Sequence, residues 1–164
     1  MRIREFDYGA DTMQLRKCVI ELQDFERKLD PRLPTGEEIA DMYISETLER
    51  CRACDGQILV AEIDGNIVGY VTILCRVQSD DLDDGNLEFG LIADLIVREE
   101  FRGVGIGREM MIAAESVASA AKVRWLRISV LAANDPARQL YSSTGYSELY
   151  VELEKDLGGV TIDA

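Results

Sequence analysis

Apolar residues recur along this chain at two different periods, and the changes of period divide it into elements. Residues 2–8 alternate imperfectly, with Ile3 and Phe6 set among charges, which predicts a short opening strand. Asp11 can cap a following helix, in which Leu15, Val19, Leu22, Phe25 and Leu29 recur at three- and four-residue spacing until Asp30 and Pro31 end the pattern. After Pro34, a second helix is predicted over 35–54. It opens with Thr35-Gly36-Glu37-Glu38, a capping box in which Thr35 and Glu38 each bond the other's free backbone donor. Residues 57–63 and 67–77 then read as two strands of a hairpin, because Asp64-Gly65-Asn66 tolerates the positive φ of a tight turn.

The second half repeats a strand and helix order. Residues 78–86, with Asp80, Asp81, Asp83 and Asp84 beside Gly85, read as a solvated acidic loop whose spacing does not match a calcium loop. A strand over 87–97 leads into a glycine-rich turn. The helix after it lasts to about Ala121, with Ile106, Met110, Ala113, Val117 and Ala121 on its apolar face. A strand over 125–131, a short helix over 135–144 and a last strand over 147–157 complete the series. That last strand carries Leu149, Val151 and Leu153 on one side and Glu148, Glu152 and Glu154 on the other, and the tail from Gly158 to Ala164 is expected to fray. This order predicts an α/β (α+β) fold with a mixed sheet, helices packed on it and some parallel pairing. No repeat or linker divides the chain, so residues 1–164 are expected to form one domain.

At 164 residues such a domain needs neither metal nor disulfide to be stable. The 47% apolar share is that of a soluble protein, no apolar run approaches the roughly 20 residues that span a bilayer, and the opening MRIREFDYGAD has no signal-peptide stretch. A cytoplasmic location is expected. The net charge of −13 argues against nucleic acid or anionic membrane as partners. It would attract a cationic substrate, or serve solubility alone. Cys51 and Cys54 form a lone CxxC; without histidine, a zinc site would need Cys18 and Cys75 to converge on them, so buried thiols are expected and no metal.

The segment that carries chemistry is Leu91-Ile92-Ala93-Asp94-Leu95-Ile96-Val97 followed by Arg102-Gly103-Val104-Gly105-Ile106-Gly107-Arg108. Glycines let a backbone approach a ligand closely, and a helix N-terminus presents unpaired N–H groups in a positive dipole, so this turn suits phosphate oxygens. The dinucleotide fingerprint would need a glycine where Arg108 stands, and a P-loop would need Gly-Lys-Ser/Thr. A turn with no ligand would carry its cost in helix propensity uncompensated.

Arg102, Gly105 and Gly107 match the Arg/Gln-x-x-Gly-x-Gly/Ala loop of the GNAT superfamily of acetyl-CoA-dependent N-acetyltransferases, which the sequence resembles from Leu91 to Tyr146. Asn134, Ala137, Leu140, Tyr141, Gly145 and Tyr146 match the family's second landmark at the expected separation. The resemblance implies a mostly antiparallel sheet with helices on both faces and a parallel pair at the cofactor site. It also implies acetyl-CoA as acetyl donor. Amides around Val104, Gly105, Ile106, Gly107 and Arg108, with Arg102 and Gly103, would hold the pyrophosphate. The Leu95, Ile96 and Val97 backbone would meet the pantetheine arm, and Asn134 would touch it from the other side. Tyr141 would protonate the departing thiolate. Alternatively, Tyr141 is a core aromatic, Asn134 a helix cap and Arg102 a solvated charge.

The match departs at the base. Where family members often place a glutamate, this chain has Ala93 and Ser129. Asp94 is the candidate catalytic base, although strict alternation turns it away from Ala93 and only a bulge would bring it to the same face; a structural hydrogen-bonding role is the other reading. Glu88 is a weaker candidate. The acceptor pocket is expected between the two early helices and the last strand, with Glu21, Asp24 and Glu26 as anchors for a cation. The expected activity is direct transfer to a primary amine, on a small cationic molecule or a protein; the alternative is a non-catalytic acyl-CoA-binding module. If the chain self-associates, a homodimer is the expected form.

Overall fold

The computed structural model describes residues 1–79 and 82–158. Five strands form one sheet in the order β1 (Arg2–Glu5), β2 (Gln57–Ile63), β3 (Asn66–Gln78), β4 (Glu88–Val97) and β5 (Leu126–Ile128). The first three pairings are antiparallel and the last, β4 with β5, is parallel. The fold is therefore the mixed sheet that the chain order predicts, mostly antiparallel as the family resemblance implies. At the β2–β3 turn Asp64 and Gly65 both adopt positive φ, 50° and 79°.

Helices cover both faces. On one, α1 (Tyr8–Leu29) and α2 (Gly36–Ala53) pack Leu15, Cys18, Val19, Ala40 and Ile44 against Val60, Tyr70 and Ile96. On the other, α3 (Ile106–Ala120) packs Met110, Met111, Ala114 and Ala118 against Val68, Val71 and Ile92, with Leu140 and Tyr141 of α4 (Asp135–Ser143) at its margin. The buried face of α3 is thus rotated slightly from the predicted one, to centre on Met110, Met111 and Ala114 rather than Ala113 and Val117. Cys18, Cys51 and Cys75 are buried free thiols. Among the described residues no cluster of cysteines and carboxylates is arranged to hold a metal ion.

Three expectations need correction. The cap of α1 is Asp7, whose Oδ1 accepts from the amides of Gly9 (2.8 Å) and Ala10 (3.2 Å), so the helix starts where the strand was expected to continue. Asp11 instead lies buried inside the first turn, where it accepts from both terminal nitrogens of Arg4, at 2.5 and 2.9 Å, and from the Asp7 amide. The predicted strand over 147–157 does not form: Leu149, Val151 and Leu153 are exposed, and the segment is tied by ion pairs from Arg138 to Glu148 (3.0 Å) and from Arg32 to Glu154 (2.6 Å). Alternation records what a strand needs, but the segment does not pair with the outer edge of β5, which stays open. The strand expected over 125–131 is also short, because only Leu126–Ile128 pair with β4. Asp80, Asp81 and residues 159–164 of the expected loop and tail lie outside the described residues.

Candidate active site

The site is built where the two parallel strands part. Strand β4 pairs with β5 only from Gly90–Leu126 to Ile92–Ile128, while its other edge stays bonded to β3 as far as Val97. Beyond Ile92 the β5-facing edge of β4 is therefore open, and Leu95, Ile96 and Val97 border a cleft of about 620 Å³ that reaches Ser129, Leu131 and Asn134 opposite. This volume is that of a site for a sizeable small molecule.

At one end of the cleft stands the glycine turn. Gly103 (φ 81°) and Gly105 (φ 93°) sit in the left-handed region, which a side chain would strain, and Gly105 is the N-cap of α3. The first turn of α3 closes with Glu109 N to Gly105 O at 3.1 Å, so the amides of Ile106, Gly107 and Arg108 remain available at a positive helix end. Arg108 also lines the cleft. Arg102 braces the turn: its Nε donates to Val97 O (2.7 Å) and its guanidinium lies over the Phe25 ring, 5.3 Å from the centroid. Asn134 both caps α4, accepting from the Ala137 amide at 3.2 Å, and borders the cleft. The two readings of Asn134 are compatible.

The other end is acidic and aromatic. Thr72 pairs with Asp94 but Ile73 pairs with Ile92, so Ala93 is the extra residue of a β-bulge. The bulge puts Asp94 and Ala93 on the same side of the sheet, toward α2, where Tyr43 Oη donates to Asp94 Oδ1 at 2.5 Å. Asp94 is only 5% exposed, and its Oδ2, like the Tyr70 hydroxyl, has no hydrogen-bond partner among the described residues. Burial pushes the Asp94 carboxyl above the usual carboxylate range, against the opposing pull of the Tyr43 hydroxyl.

Of the three acids expected to anchor a cation, two are engaged elsewhere. Glu21 accepts from the Glu99 amide (2.7 Å) and pairs with Arg98, while Asp24 accepts from the Gly36 amide (2.8 Å). Glu26 borders the cleft itself. Tyr141 borders it from α4, with its proton affinity raised to about 12 by burial and then by the negative charge of Glu26. Glu88 sits at the far end of β4, paired to Arg76 at 2.8 Å, away from the cleft. The last strand is expected to help line the acceptor pocket, but among the described residues none beyond Tyr141 does so. Sequence reasoning missed Tyr43 and Tyr70, which the helix and strand periodicities present as ordinary core aromatics.

The sequence model of the Acetyltransferase (GNAT) family matches residues 21–146. The uncharacterized N-acetyltransferase YycN of Bacillus subtilis is 30% identical over 92 residues, 56% of this chain and 55% of that protein. An N-alpha-acetyltransferase of Sulfurisphaera tokodaii is 25% identical over 107 residues, 63% of this chain and 64% of that protein. The matches thus span from about half to just under two thirds of these curated relatives. Among solved structures, the tetramutant of the BH1408 protein from Bacillus halodurans superposes with a TM-score of 0.81 at 23% identity, covering 96% of this chain and 100% of that one. The aminoglycoside N-acetyltransferase AAC(6')-Iy, in complex with CoA, does so with a TM-score of 0.66 at 15% identity over 94% and 98% of the two chains. At these identities the structural likeness is one of fold.

Proposed function

Because the chain belongs to the GNAT acetyltransferase family, we propose that it works as a single domain that moves an acetyl group from acetyl-CoA directly to a primary amine. The observation that carries this reading is the continuity of the cleft from the free amides of α3, past the open edge of β4, to a tyrosine and two carboxylates. A donor with a polyanionic end and an amide-bearing arm fits that order of groups. The amides of Ile106, Gly107 and Arg108, with the turn through Gly103, Val104 and Gly105, receive the pyrophosphate oxygens. Leu95, Ile96 and Val97 offer backbone donors and acceptors to the arm, and Asn134 borders it from the opposite wall.

The amine nitrogen attacks the thioester carbonyl, the C–S bond breaks, and the leaving thiolate takes the Tyr141 proton. With its proton affinity raised to about 12, Tyr141 stays protonated at neutral pH and is available as that donor. No cysteine stands in either motif, which favours direct attack over a covalent acetyl-enzyme. The acceptor is a small cationic amine or a protein amine: Glu26 and Asp94 are carboxylates that border the cleft, while of its two arginines Arg102 is engaged by Val97 O, the Phe25 ring and Glu21, and Arg108 belongs to the first turn of α3.

A homodimer also belongs to this reading. The chain carries both an open outer edge on β5 and an unpaired alternating segment with Leu149, Val151 and Leu153 exposed. Reciprocal exchange between two copies would satisfy both. Among the described residues no helix is long and apolar enough to cross a membrane, and the free thiols suit a reducing, cytoplasmic location.

Mass spectrometry of a pooled set of primary amines, incubated with acetyl-CoA and the protein, tests the proposal. An acetylated amine accompanied by free CoA supports it. Acetyl-CoA binding without any amide product across the pool would replace it with a non-catalytic acyl-CoA-binding module.

A further inference from the structure

We propose that Glu26 is the group that takes the proton from the acceptor ammonium, with Asp94 acting beneath it as a positioning residue. This rests on the acetyl-transfer reading and names the base which that reading leaves open.

The argument starts from partners. Glu21 and Asp24 are committed to backbone amides at the loop after β4 and at the start of α2. Glu26, on the same helix, makes no hydrogen bond or ion pair among the described residues, yet it is partly buried and borders the cleft beside Phe25 and Leu22. An unpaired carboxylate in such a place is costly, and a ligand that arrives with a positive charge removes the cost. A second group points to the same ligand. Asp94 is more than nine-tenths buried, borders the same cleft and leaves its Oδ2 without a hydrogen-bond partner among the described residues. With one oxygen tied to Tyr43 and almost no exposed surface, Asp94 is poorly placed to meet an acceptor itself.

The ionisable groups around Glu26 fix its behaviour. Asp94 comes from β4, Tyr43 from α2, Tyr70 from β3 and Tyr141 from α4, while the positive charge of Arg50 of α2 is felt at Asp94 and Tyr43. Of the cleft's own cations, Arg102 lies over the adjacent Phe25 ring, donates to Val97 O and pairs with Glu21 at 3.5 Å, while Arg108 stands in the first turn of α3. Burial, and then the charge of Asp94, push the Glu26 carboxyl upward, toward the pH at which a general base is most effective. The negative charge of Glu26 is in turn felt at Tyr141, so base and acid face one cleft.

The protons balance across the reaction. The ammonium gives its first proton to Glu26, which later releases it to solvent. The freed lone pair forms the C–N bond as the C–S bond breaks. The second proton, lost from nitrogen as the amide forms, replaces the one that Tyr141 gives to sulfur.

The test compares wild type, E26Q and D94N by release of CoA from acetyl-CoA, with a pool of spermidine, kanamycin and an alanyl peptide as acceptors. The expected result for E26Q is a kcat/KM about 10²- to 10⁴-fold lower at neutral pH, recovering as pH rises toward the amine's own pKa, with unchanged acetyl-CoA affinity. For D94N the acid limb of the pH profile should move to lower pH, because the neighbouring charge that raises Glu26 is gone. E26Q within tenfold of wild type, or a loss that does not change with pH, overturns the assignment while the transfer reading stands. An E26Q profile that keeps its acid limb while D94N loses it moves the base to Asp94. Absence of turnover by wild type across the pool overturns the transfer reading and this assignment together.

Discussion

The Tyr43 hydroxyl donates to Asp94 Oδ1 at 2.5 Å, which ties the second helix to the bulged strand at the floor of the cleft. The carboxylate is otherwise enclosed, so loss of this bond in Y43F should cost about 1–3 kcal/mol of stability in chemical denaturation. The sign of the pH dependence follows from burial. Asp94 binds its proton more tightly folded than unfolded, so it favours folding at low pH and opposes it as pH rises through its folded value. D94N removes that opposition. Relative to wild type it should gain stability as pH is raised from about 4 to about 8, and thermal melts at the two extremes check this.

Gly105 caps α3 at φ 93° with nothing near a would-be Cβ, so G105A strains the backbone without a clash. G65A, at φ 79° in the exposed β2–β3 turn, imposes similar strain far from the cleft. Both should lower stability, each by about 1 kcal/mol or somewhat more. Only G105A should weaken acetyl-CoA binding, by about tenfold or more for a loss of at least 1.4 kcal/mol. Paired melting and binding measurements separate strain from lost phosphate contacts.

Replacing Tyr141 by phenylalanine keeps the ring that packs near Tyr146, at 6.3 Å between centroids, and removes only the hydroxyl. Y141F should lower kcat by about 10²-fold while the acetyl-CoA dissociation constant holds. Since burial raises Tyr141 to about 12, wild type should show no loss of activity from this group up to about pH 11.

Val151 is 69% exposed, so V151K should leave the stability of an isolated chain unchanged within about 0.5 kcal/mol. If the segment pairs with a second copy, the same substitution should shift the protein toward monomer in light scattering. A monomeric wild type would remove the dimer from the account.

The parts of this fold that were legible in the sequence are those decided locally. The hairpin at Asp64 and Gly65, the capping box at Thr35 and Glu38, and the glycine turn before α3 each depend on residues within a few positions of one another. The rest depends on distant partners. Asp7 and Asp11 are equally good caps by type, and only Arg4, reaching from β1, assigns Asp11 to an ion pair. The bulge at Ala93 left no mark because β4 is covered on both faces, so a slip in alternation still places apolar residues in apolar surroundings. Likewise Glu21, Asp24 and Glu26 look alike along α1. The amides of Glu99 and Gly36 claim the first two and leave the third to the cleft.

Calorimetric titration of the purified protein with acetyl-CoA, with NAD and ATP as controls, tests the central claim most directly, because every later step needs that donor in the cleft. The account predicts saturable binding of acetyl-CoA and no comparable binding of either control. A folded protein that binds no acetyl-CoA, or binds all three alike, would contradict it.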